Sequence, residues 1–217
     1  MQHRAEITRR LLLNAAAELF AERGYAGTSI TDISRRSGLT SGAIYFHYTS
    51  KEHLARSIIQ EQLATWPPLI ARYGSAGAPA LESVVALSFE VARAFRDDVI
   101  VRAGSRLWAE RAAIGEPLPR PFEGWIRTLS TLLCQARTEG DLAAHVVPEQ
   151  AATVIVCAFF GVHTVSDALD ERRLIEDHLA QLWLMMLPGL QGRFDGACVV
   201  QRVRGQQLPA GRAAGQP

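Results

Sequence analysis

The order of helix-starting and helix-ending residues shortly after the first two dozen positions constrains the fold more than any other feature of this sequence. Ser29 is followed at the third helical position by Asp32, a capping-box arrangement that starts a helix. Gly38 suits the left-handed position at which such a helix ends. Thr40 can then cap a second short helix that runs through His47. The pattern therefore predicts two short helices joined by a tight turn.

A longer amphipathic helix is predicted immediately before this pair. Apolar residues recur every three or four positions from Glu6 to Arg23, and Gly24 follows as the helix end. A long helix followed by two short helices around a Gly-containing turn forms a helix-turn-helix unit. We therefore predict this unit over residues 6 to about 50.

The remainder of the chain is predicted to be helical as well. Ser50 can cap a fourth helix that runs towards Pro67. Apolar spacing and capping residues then predict helices over Pro79 to Arg96, Asp98 to Trp108, Pro121 to Gly140, Pro148 to Leu169 and Leu174 to Leu187. Strand-like alternation is not convincing anywhere, so the predicted class is all-α. The expected regions are a helix-turn-helix domain at 1–50, a larger helical domain at 51–190 and a flexible tail at 191–217, where Gly, Arg, Gln and Pro dominate.

The composition indicates a folded chain with one basic end. Its 217 residues are 48% hydrophobic and 21% charged, which excludes wholesale disorder. The net charge is only +1, but residues 1–60 carry eight basic and five acidic side chains. The amino-terminal quarter is therefore the part that can face a polyanion.

Catalysis, cofactor binding and metal binding have little support in the sequence. The three cysteines and six histidines are scattered, with no metal-ligand spacing and no disulfide framework. No nucleophile elbow and no glycine-rich phosphate loop is found. We therefore expect no catalytic residues, no metal and no cofactor.

The sequence also predicts a cytoplasmic protein without a membrane partner. The amino terminus is charged and lacks the apolar core of a secretion signal. The longest uncharged stretch, Gln150 to Ser166, has 17 residues, fewer than the roughly 20 that span a bilayer. We interpret this stretch as a buried helix.

The second short helix has the residue types of a DNA recognition helix. Such a helix lays its first turn against base edges while neighbouring groups bind phosphates. Small residues permit close approach, aromatic rings contact thymine methyl groups, and a lysine at the start of the next helix lies beneath a phosphate. The candidate DNA-binding residues are Thr40, Ser41, Gly42, Tyr45, His47 and Lys51. The alternative is that Tyr45 and Phe46 pack against the first helix and Lys51 is solvated. Arg36 either reaches a phosphate or lies on a solvated face.

This region resembles the DNA-binding domain of TetR-type repressors. The resemblance rests on Phe20 to Tyr25, Thr28 to Ile33, Gly38 to Tyr48 and Ser50 to Leu54. It implies an all-helical homodimer whose amino-terminal domain binds DNA, with Thr28 among the candidate contacts, and whose larger domain binds a small molecule. Many family members carry a lysine where this chain has Ser41, so one cation fewer is expected at the groove.

The larger region resembles the γ-butyrolactone and furan autoregulator receptors that control antibiotic production. The resemblance rests on Phe95 to Leu107, Pro119 to Trp125 and Ala158 to Asp167. In that subfamily a tryptophan at the Trp125 position lines the ligand cavity, and an indole suits an uncharged lactone or furan with an alkyl tail. Other candidate ligand-binding residues are Leu63, Phe122, Phe159, Phe160, Val162 and His163. The alternative for each is ordinary core packing, which is the commoner role for a single histidine.

Together these features predict a homodimeric, cytoplasmic and nucleoid-associated repressor that binds a pseudo-palindromic operator and is released by a lactone or furan. The ligand is expected to shift the fourth helix and alter the spacing of the recognition helices. The last two long helices are expected to form the dimer contact through Val154, Ile155, Val165, Leu179, Leu182 and Trp183. One alternative is a receptor-like repressor that responds to an antibiotic or to no autoregulator. Another is an enzyme or carrier that retains the helix-turn-helix.

Overall fold

The computed structural model describes residues 2–74, 77–115, 118–191 and 196–205, and no strand occurs among them. The all-α class predicted from the sequence is confirmed. The helices are α1 (Gln2–Arg23), α2 (Ile30–Ser37), α3 (Ser41–His47), α4 (Lys51–Ala64), α5 (Trp66–Gly74), α6 (Ala80–Asp97), α7 (Val99–Ala109), α8 (Pro121–Glu139), α9 (Pro148–Asp170), α10 (Ile175–Leu190) and α11 (Gly196–Gly205), and a short 3₁₀ helix (Arg111–Ala113) follows α7.

Local hydrogen bonds set the ends of the short helices α2 and α3. The Ser29 hydroxyl accepts from the Asp32 N–H, and the Asp32 carboxylate accepts from the Ser29 N–H, which completes the predicted capping box. Gly38 ends α2 with φ of 69°, a left-handed conformation that glycine adopts without a steric penalty. The Thr40 hydroxyl accepts from the Ala43 N–H and starts α3. The turn between the two helices is therefore specified by nearby residues.

A first hydrophobic core, here called the amino-terminal core, holds α1, α2 and α3 against α4 and α7. Phe20, Ile33 and Ile44 are fully buried in it, one from each of the first three helices. Ala103 and Leu107 of α7 belong to the same core. The helix-turn-helix unit is thus packed directly on a helix of the larger region.

A second hydrophobic core, the carboxy-terminal core, fills the space among α5, α6, α8, α9, α10 and α11. Phe89 and Phe95 of α6 and Trp183 of α10 are among its most buried large side chains. The Trp183 indole N–H donates to the Ser88 hydroxyl at 2.8 Å, so this buried donor is satisfied. Helix α7 contributes Val101 to this core, and it therefore lies between the two cores.

Two helix boundaries differ from the prediction. The fourth helix ends at Ala64, and a separate helix, α5, begins at Trp66 with Pro67 and Pro68 in its first turn. Prolines are tolerated there because the first N–H groups of a helix have no partner within the helix. At the other end of the chain, α10 continues to Leu190.

The flexible tail predicted at 191–217 is wrong for residues 196–205. These residues form α11, which packs against α6 and α10 with Val199 and Val203 buried. The two valines are four positions apart and so share one helix face, a spacing that the Gly-rich and Arg-rich composition obscured. The remainder of the predicted tail beyond Gln191 lies outside the described residues.

Helices α9 and α10 leave apolar side chains exposed on the subunit. Of the predicted dimer residues, Ile155, Leu179 and Trp183 are instead buried in the carboxy-terminal core. The large apolar side chains that α9 and α10 expose are Val154, Val165, Leu169, Leu184 and Met185, each at least 44% exposed. By length and composition α9 is the one described helix long and apolar enough to cross a membrane. It packs against α8 and α10, and its exposed apolar side chains are those expected of a surface that a second copy covers.

Candidate DNA-binding surface and ligand cavities

The exposed side of α3 carries most of the predicted DNA-binding residues. Ile44 points into the amino-terminal core, and this orients the opposite side of the helix towards solvent. The predicted residues on that side are the exposed Thr40, Ser41, Gly42 and Tyr45, with His47 half-buried at the last turn. The structure therefore brings these five residues together on one surface.

Gly42 and Phe46 add two geometric facts to this surface. A Cβ atom at Gly42 would meet Thr40 Oγ1 at 3.8 Å, an ordinary contact, so the fold itself does not require glycine there. Phe46 is 82% exposed, and its ring lies edge-on to the His47 ring. The sequence analysis named Phe46 only in its alternative, as a packing residue, and did not include it among the candidate contacts. Its position two residues after the buried Ile44 was the available signal that it points outward.

Lys51 is bound to the protein rather than solvated. Its Nζ donates to the carbonyl oxygens of Tyr25 and Thr28, both at 3.0 Å, and lies 4.0 Å from the centroid of the Tyr25 ring. These contacts hold the ammonium group at the turn between α1 and α2. An ammonium has three donors, so one remains for a phosphate, and a DNA contact for Lys51 stays a prediction.

Two predicted DNA-binding residues have other partners. Thr28 is 2% exposed and its hydroxyl donates to the Gly24 carbonyl at 2.9 Å. A buried hydroxyl cannot reach a duplex, so the prediction for this side chain is wrong. Arg36 forms ion pairs with Glu18 and Glu22 of α1 at 2.8 and 3.1 Å, and the hydrogen bonds that its guanidinium donates to Glu22 and Glu18 raise its pKa. Arg36 therefore holds α2 against α1 and does not occupy an open phosphate-binding position.

The carboxy-terminal core contains two small cavities, one on each side of Trp125. The first cavity has a volume of about 40 Å³ and lies between α6, α8 and α9. Its polar lining residue, Ser88, already donates to the Val85 carbonyl at 2.6 Å and accepts from Trp183. Most of its wall is formed by Val84, Leu87, Val91, Leu129, Phe159 and Phe160. This cavity, here called the apolar cavity, suits a hydrocarbon chain.

The second cavity, here called the polar cavity, has a volume of about 30 Å³ and lies between α4, α7 and α8. The Gln62 amide and the Ser105 hydroxyl line it beside aromatic rings. Gln62 is 7% exposed and sits against Gly104, where an added Cβ would lie 2.5 Å from the Gln62 Oε1. Glycine on α7 thus makes room for a buried amide on α4, and the cavity suits an oxygen-bearing group.

Four of the seven predicted ligand-binding residues line these cavities. They are Phe122, Trp125, Phe159 and Phe160. Trp125 and Phe160 line both cavities. Leu63 and Val162 are partly buried and pack against the core without lining either cavity. Sequence reasoning missed Gln62, Ser105 and Trp108, which complete the polar cavity.

His163 is a packing residue outside both linings. It is 5% exposed, and its ring centroid lies 4.1 Å from that of Phe95. Arg172 donates from Nε to His163 Nδ1 at 3.3 Å, which assigns the ring proton to Nε2. Burial, and after it the positive charge of Arg172, lowers the pKa of His163 to about 3. The structure therefore gives His163 the packing role and not a ligand contact.

In the part of the chain that the structure describes, no cluster of three or more histidine, cysteine, aspartate or glutamate side chains could hold a metal ion. Cys134 and Cys157 are exposed free thiols on α8 and α9. The described residues thus present an exposed α3 surface and cavities lined by uncharged, largely aromatic side chains.

Family comparisons agree with this arrangement of two regions. Residues 12–58 match the family model described as bacterial regulatory proteins, tetR family. Residues 78–192 match the tetracyclin repressor-like, C-terminal domain. The chain belongs to the TetR family, whose members are DNA-binding regulators and not enzymes.

Individual relatives are also similar along most of the chain. The A-factor receptor protein of Streptomyces griseus is 34% identical over 189 residues, which cover 87% of this chain but only 66% of that longer protein. A solved structure concerned with control of antibiotic production by bacterial hormones is 42% identical, with a TM-score of 0.79, and covers 85% of this chain and 98% of its own. A crystal structure of a γ-butyrolactone receptor is 30% identical, with a TM-score of 0.79, and covers 92% and 98% of the two chains.

Proposed function

We propose that this protein is a homodimeric repressor that binds a pseudo-palindromic operator and is released by a small uncharged lactone or furan, and that it controls antibiotic biosynthesis. The observation that carries the proposal is the pair of cavities separated by Trp125 and Phe160. The resemblance to the A-factor and γ-butyrolactone receptors supports the ligand class.

The two cavities have the chemistry of an amphipathic ligand. The apolar cavity accepts an alkyl tail, while Gln62 and Ser105 in the polar cavity offer an amide and a hydroxyl to a ring oxygen or carbonyl. No charged side chain appears among the described residues that line either cavity. An ionised ligand would therefore be buried without a partner charge, which is strongly unfavourable, so the interior favours an uncharged molecule.

The cavities as they stand are small. Pockets for molecules of drug size have volumes of roughly 300–1,000 Å³, far above the about 40 and 30 Å³ found here. Trp125 and Phe160 must therefore move when a ligand enters, and the two spaces then join. The ligand's binding free energy has to exceed the free energy of that rearrangement, which gives it a means of selecting one conformation of the subunit.

The small volume of both cavities also favours the second candidate, a repressor that responds to an antibiotic or to no autoregulator. In that case the aromatic side chains are the permanent filling of the core. The two candidates differ in whether a lactone or furan binds at all.

In the dimer, the exposed apolar side chains of α9 and α10 meet those of a second copy. Two α3 helices about 34 Å apart would then reach half-sites separated by one turn of DNA. Thr40, Ser41, Gly42, Tyr45 and His47 would face base edges and phosphates. We place the regulator in the cytoplasm, associated with the nucleoid, where its operators lie.

An operator-release experiment tests the proposal. The purified protein is mixed with pseudo-palindromic duplexes from the DNA flanking its own gene, and dissociation is measured as synthetic γ-butyrolactones and furans with alkyl side chains are added. Release by one of them, and loss of that response in Trp125→Ala, is the expected result. Operator binding that no lactone or furan changes would favour the second candidate, and failure to bind every such duplex would overturn both.

A further inference from the structure

We propose that Arg106 on α7 and Glu110, the residue that follows α7, form a clasp that transmits ligand binding to the DNA-binding unit, so that both are positioning residues for operator release. This inference rests on the proposed function, since it takes the polar cavity as part of the ligand site. It adds a route through α7 to the route through α4, which is joined to α3 by a short stretch of chain.

The first half of the clasp holds the end of α1. Arg106 Nη1 donates to the carbonyl oxygens of Ala21 and Glu22 at 2.9 and 3.1 Å. These carbonyls belong to the last turn of α1, where they have no partner within the helix. A guanidinium there also interacts favourably with the negative end of the helix dipole. Arg106 therefore ties α7 to the helix that leads into the helix-turn-helix.

The second half of the clasp holds the turn that follows α1. Glu110 Oε1 accepts from Arg106 Nε at 3.1 Å, and Oε2 accepts from the Tyr25 N–H at 2.6 Å. A Cβ atom at Gly24 would collide with the same carboxylate. The turn and the carboxylate are thus in direct contact, and movement of one requires movement of the other.

The turn that follows α1 also contacts α4. The Tyr25 hydroxyl donates to Glu52 at 2.5 Å, and the Tyr25 carbonyl accepts from Lys51. Both partners lie in the first turn of α4, just after the recognition helix. A displacement at Glu110 therefore reaches the base of α3 through contacts that are already made.

The other side of α7 faces the polar cavity. Ser105 lies next to Arg106 in sequence and lines that cavity together with Trp108. The ring centroids of Trp108 and Phe122 are 4.7 Å apart, and so are those of Phe122 and Phe160. A ligand that displaces Phe160 thus pushes on α7 through two ring contacts. Because α7 is a single helix, its cavity side and its clasp side move together.

The test compares coupling in Glu110→Ala, Glu110→Gln and the wild-type protein. Operator dissociation constants are measured with and without the γ-butyrolactone or furan that releases the wild-type protein, and binding of that compound is measured separately by tryptophan fluorescence. Glu123→Ala, which breaks the exposed Arg120–Glu123 pair at the start of α8, is the matched control.

In the wild-type protein the compound is expected to weaken operator binding by about 5- to 150-fold, the usual range for allosteric effectors. Glu110→Ala should reduce that ratio at least about fivefold while the compound still binds. Glu110→Gln keeps an oxygen for the Tyr25 N–H and should restore part of the ratio, and Glu123→Ala should leave it unchanged. A Glu110→Ala protein that is less stable but keeps the wild-type ratio would overturn the clasp. A merely structural role changes the operator dissociation constants with and without the compound by the same factor, so their ratio stays the same.

A second arm does not depend on any ligand. Ser105→Leu fills the polar cavity from α7 and is made in the wild-type protein and in Glu110→Ala, which forms a double-mutant cycle. In the wild-type background it should weaken operator binding by at least about fivefold. In the Glu110→Ala background the weakening should be much smaller. Thermal melts confirm that each variant is folded. If wild type ignores every lactone and furan, the proposed ligand class fails while this cycle still tests the clasp. Equal effects of Ser105→Leu in both backgrounds, or no effect in either, would overturn it.

Discussion

The two cores of this subunit place their polar groups differently. Around the amino-terminal core, polar side chains such as Ser29 and Thr40 lie exposed at helix ends and bond to backbone a few residues away. In the carboxy-terminal core, Gln62 and His163 are buried in the interior beside aromatic rings and small cavities. The difference indicates one region built to hold a fixed shape and another built with interior space that can be rearranged.

The largest test of this contrast removes one aromatic ring from each region. Phe20→Ala deletes a fully buried ring from the amino-terminal core and should lower the free energy of unfolding by about 3–5 kcal/mol. Trp125→Ala deletes a partly buried ring between two existing cavities and should lower it by less than about 2 kcal/mol. Urea unfolding measures both, and equal losses would contradict the contrast.

The same contrast explains what the sequence could and could not predict. The capping box of Ser29 and Asp32 and the Gly38 helix end depend on neighbours within four residues, so the pattern was readable. The prediction for Thr28 was wrong, and the ion pairs of Arg36 were not foreseen, because the partners of both side chains lie earlier in the chain, in or just after α1. Helical spacing alone does not reveal a tertiary partner.

The cavities were only partly predictable for a related reason. Trp125 and Phe160 were identified through a family resemblance, whereas the shapes of the two cavities that they separate depend on how the surrounding helices pack. Gln62 did leave a readable signal, since it lies four residues after Ile58, on the buried stripe of α4. A polar residue at such a position indicates either a close neighbour or a site.

The next largest effect concerns pH and should arise in the carboxy-terminal core. An unfolded chain protonates His163 with its ordinary pKa of 6.5, whereas burial lowers the pKa in the folded protein to about 3. The unfolded state therefore binds more protons, and stability present above pH 6.5 is lost as the pH falls towards 3. Between pH 7 and pH 5 this group should lower the free energy of unfolding by about 2 kcal/mol.

His163→Gln isolates that contribution, because glutamine keeps an acceptor for Arg172 without titrating. Urea unfolding of the variant and the wild type at each pH gives the difference directly. The variant should lose less stability on acidification than the wild type by about the same 2 kcal/mol. Parallel losses in the two proteins would show that His163 is not held neutral in the folded state.

A substitution at Gly42 tests how closely the surface of α3 approaches DNA. Gly42→Ala should leave the fold intact or stabilise it by about 0.5–1 kcal/mol, since the added methyl group has space and alanine favours helix. Operator affinity should nevertheless fall about tenfold, because the methyl group occupies the space needed by the duplex. Gly124→Ala on α8 also has space for a methyl group and serves as the control, with the same stabilisation and unchanged affinity. Equal operator affinity in the two variants would exclude close approach at Gly42.

The smallest effect is expected at Arg36, where the amino-terminal region uses charge to hold two helices together. Its partners Glu18 and Glu22 are about half exposed, so Arg36→Ala should lower the free energy of unfolding by less than about 1 kcal/mol. The logarithmic salt dependence of operator binding should stay the same within error, because a guanidinium paired with two carboxylates releases no counterion from a phosphate. Removing one phosphate contact in each subunit would instead reduce the slope by about 1.8. A change of that size would show that Arg36 leaves α1 on binding and that this region, too, rearranges its polar partners.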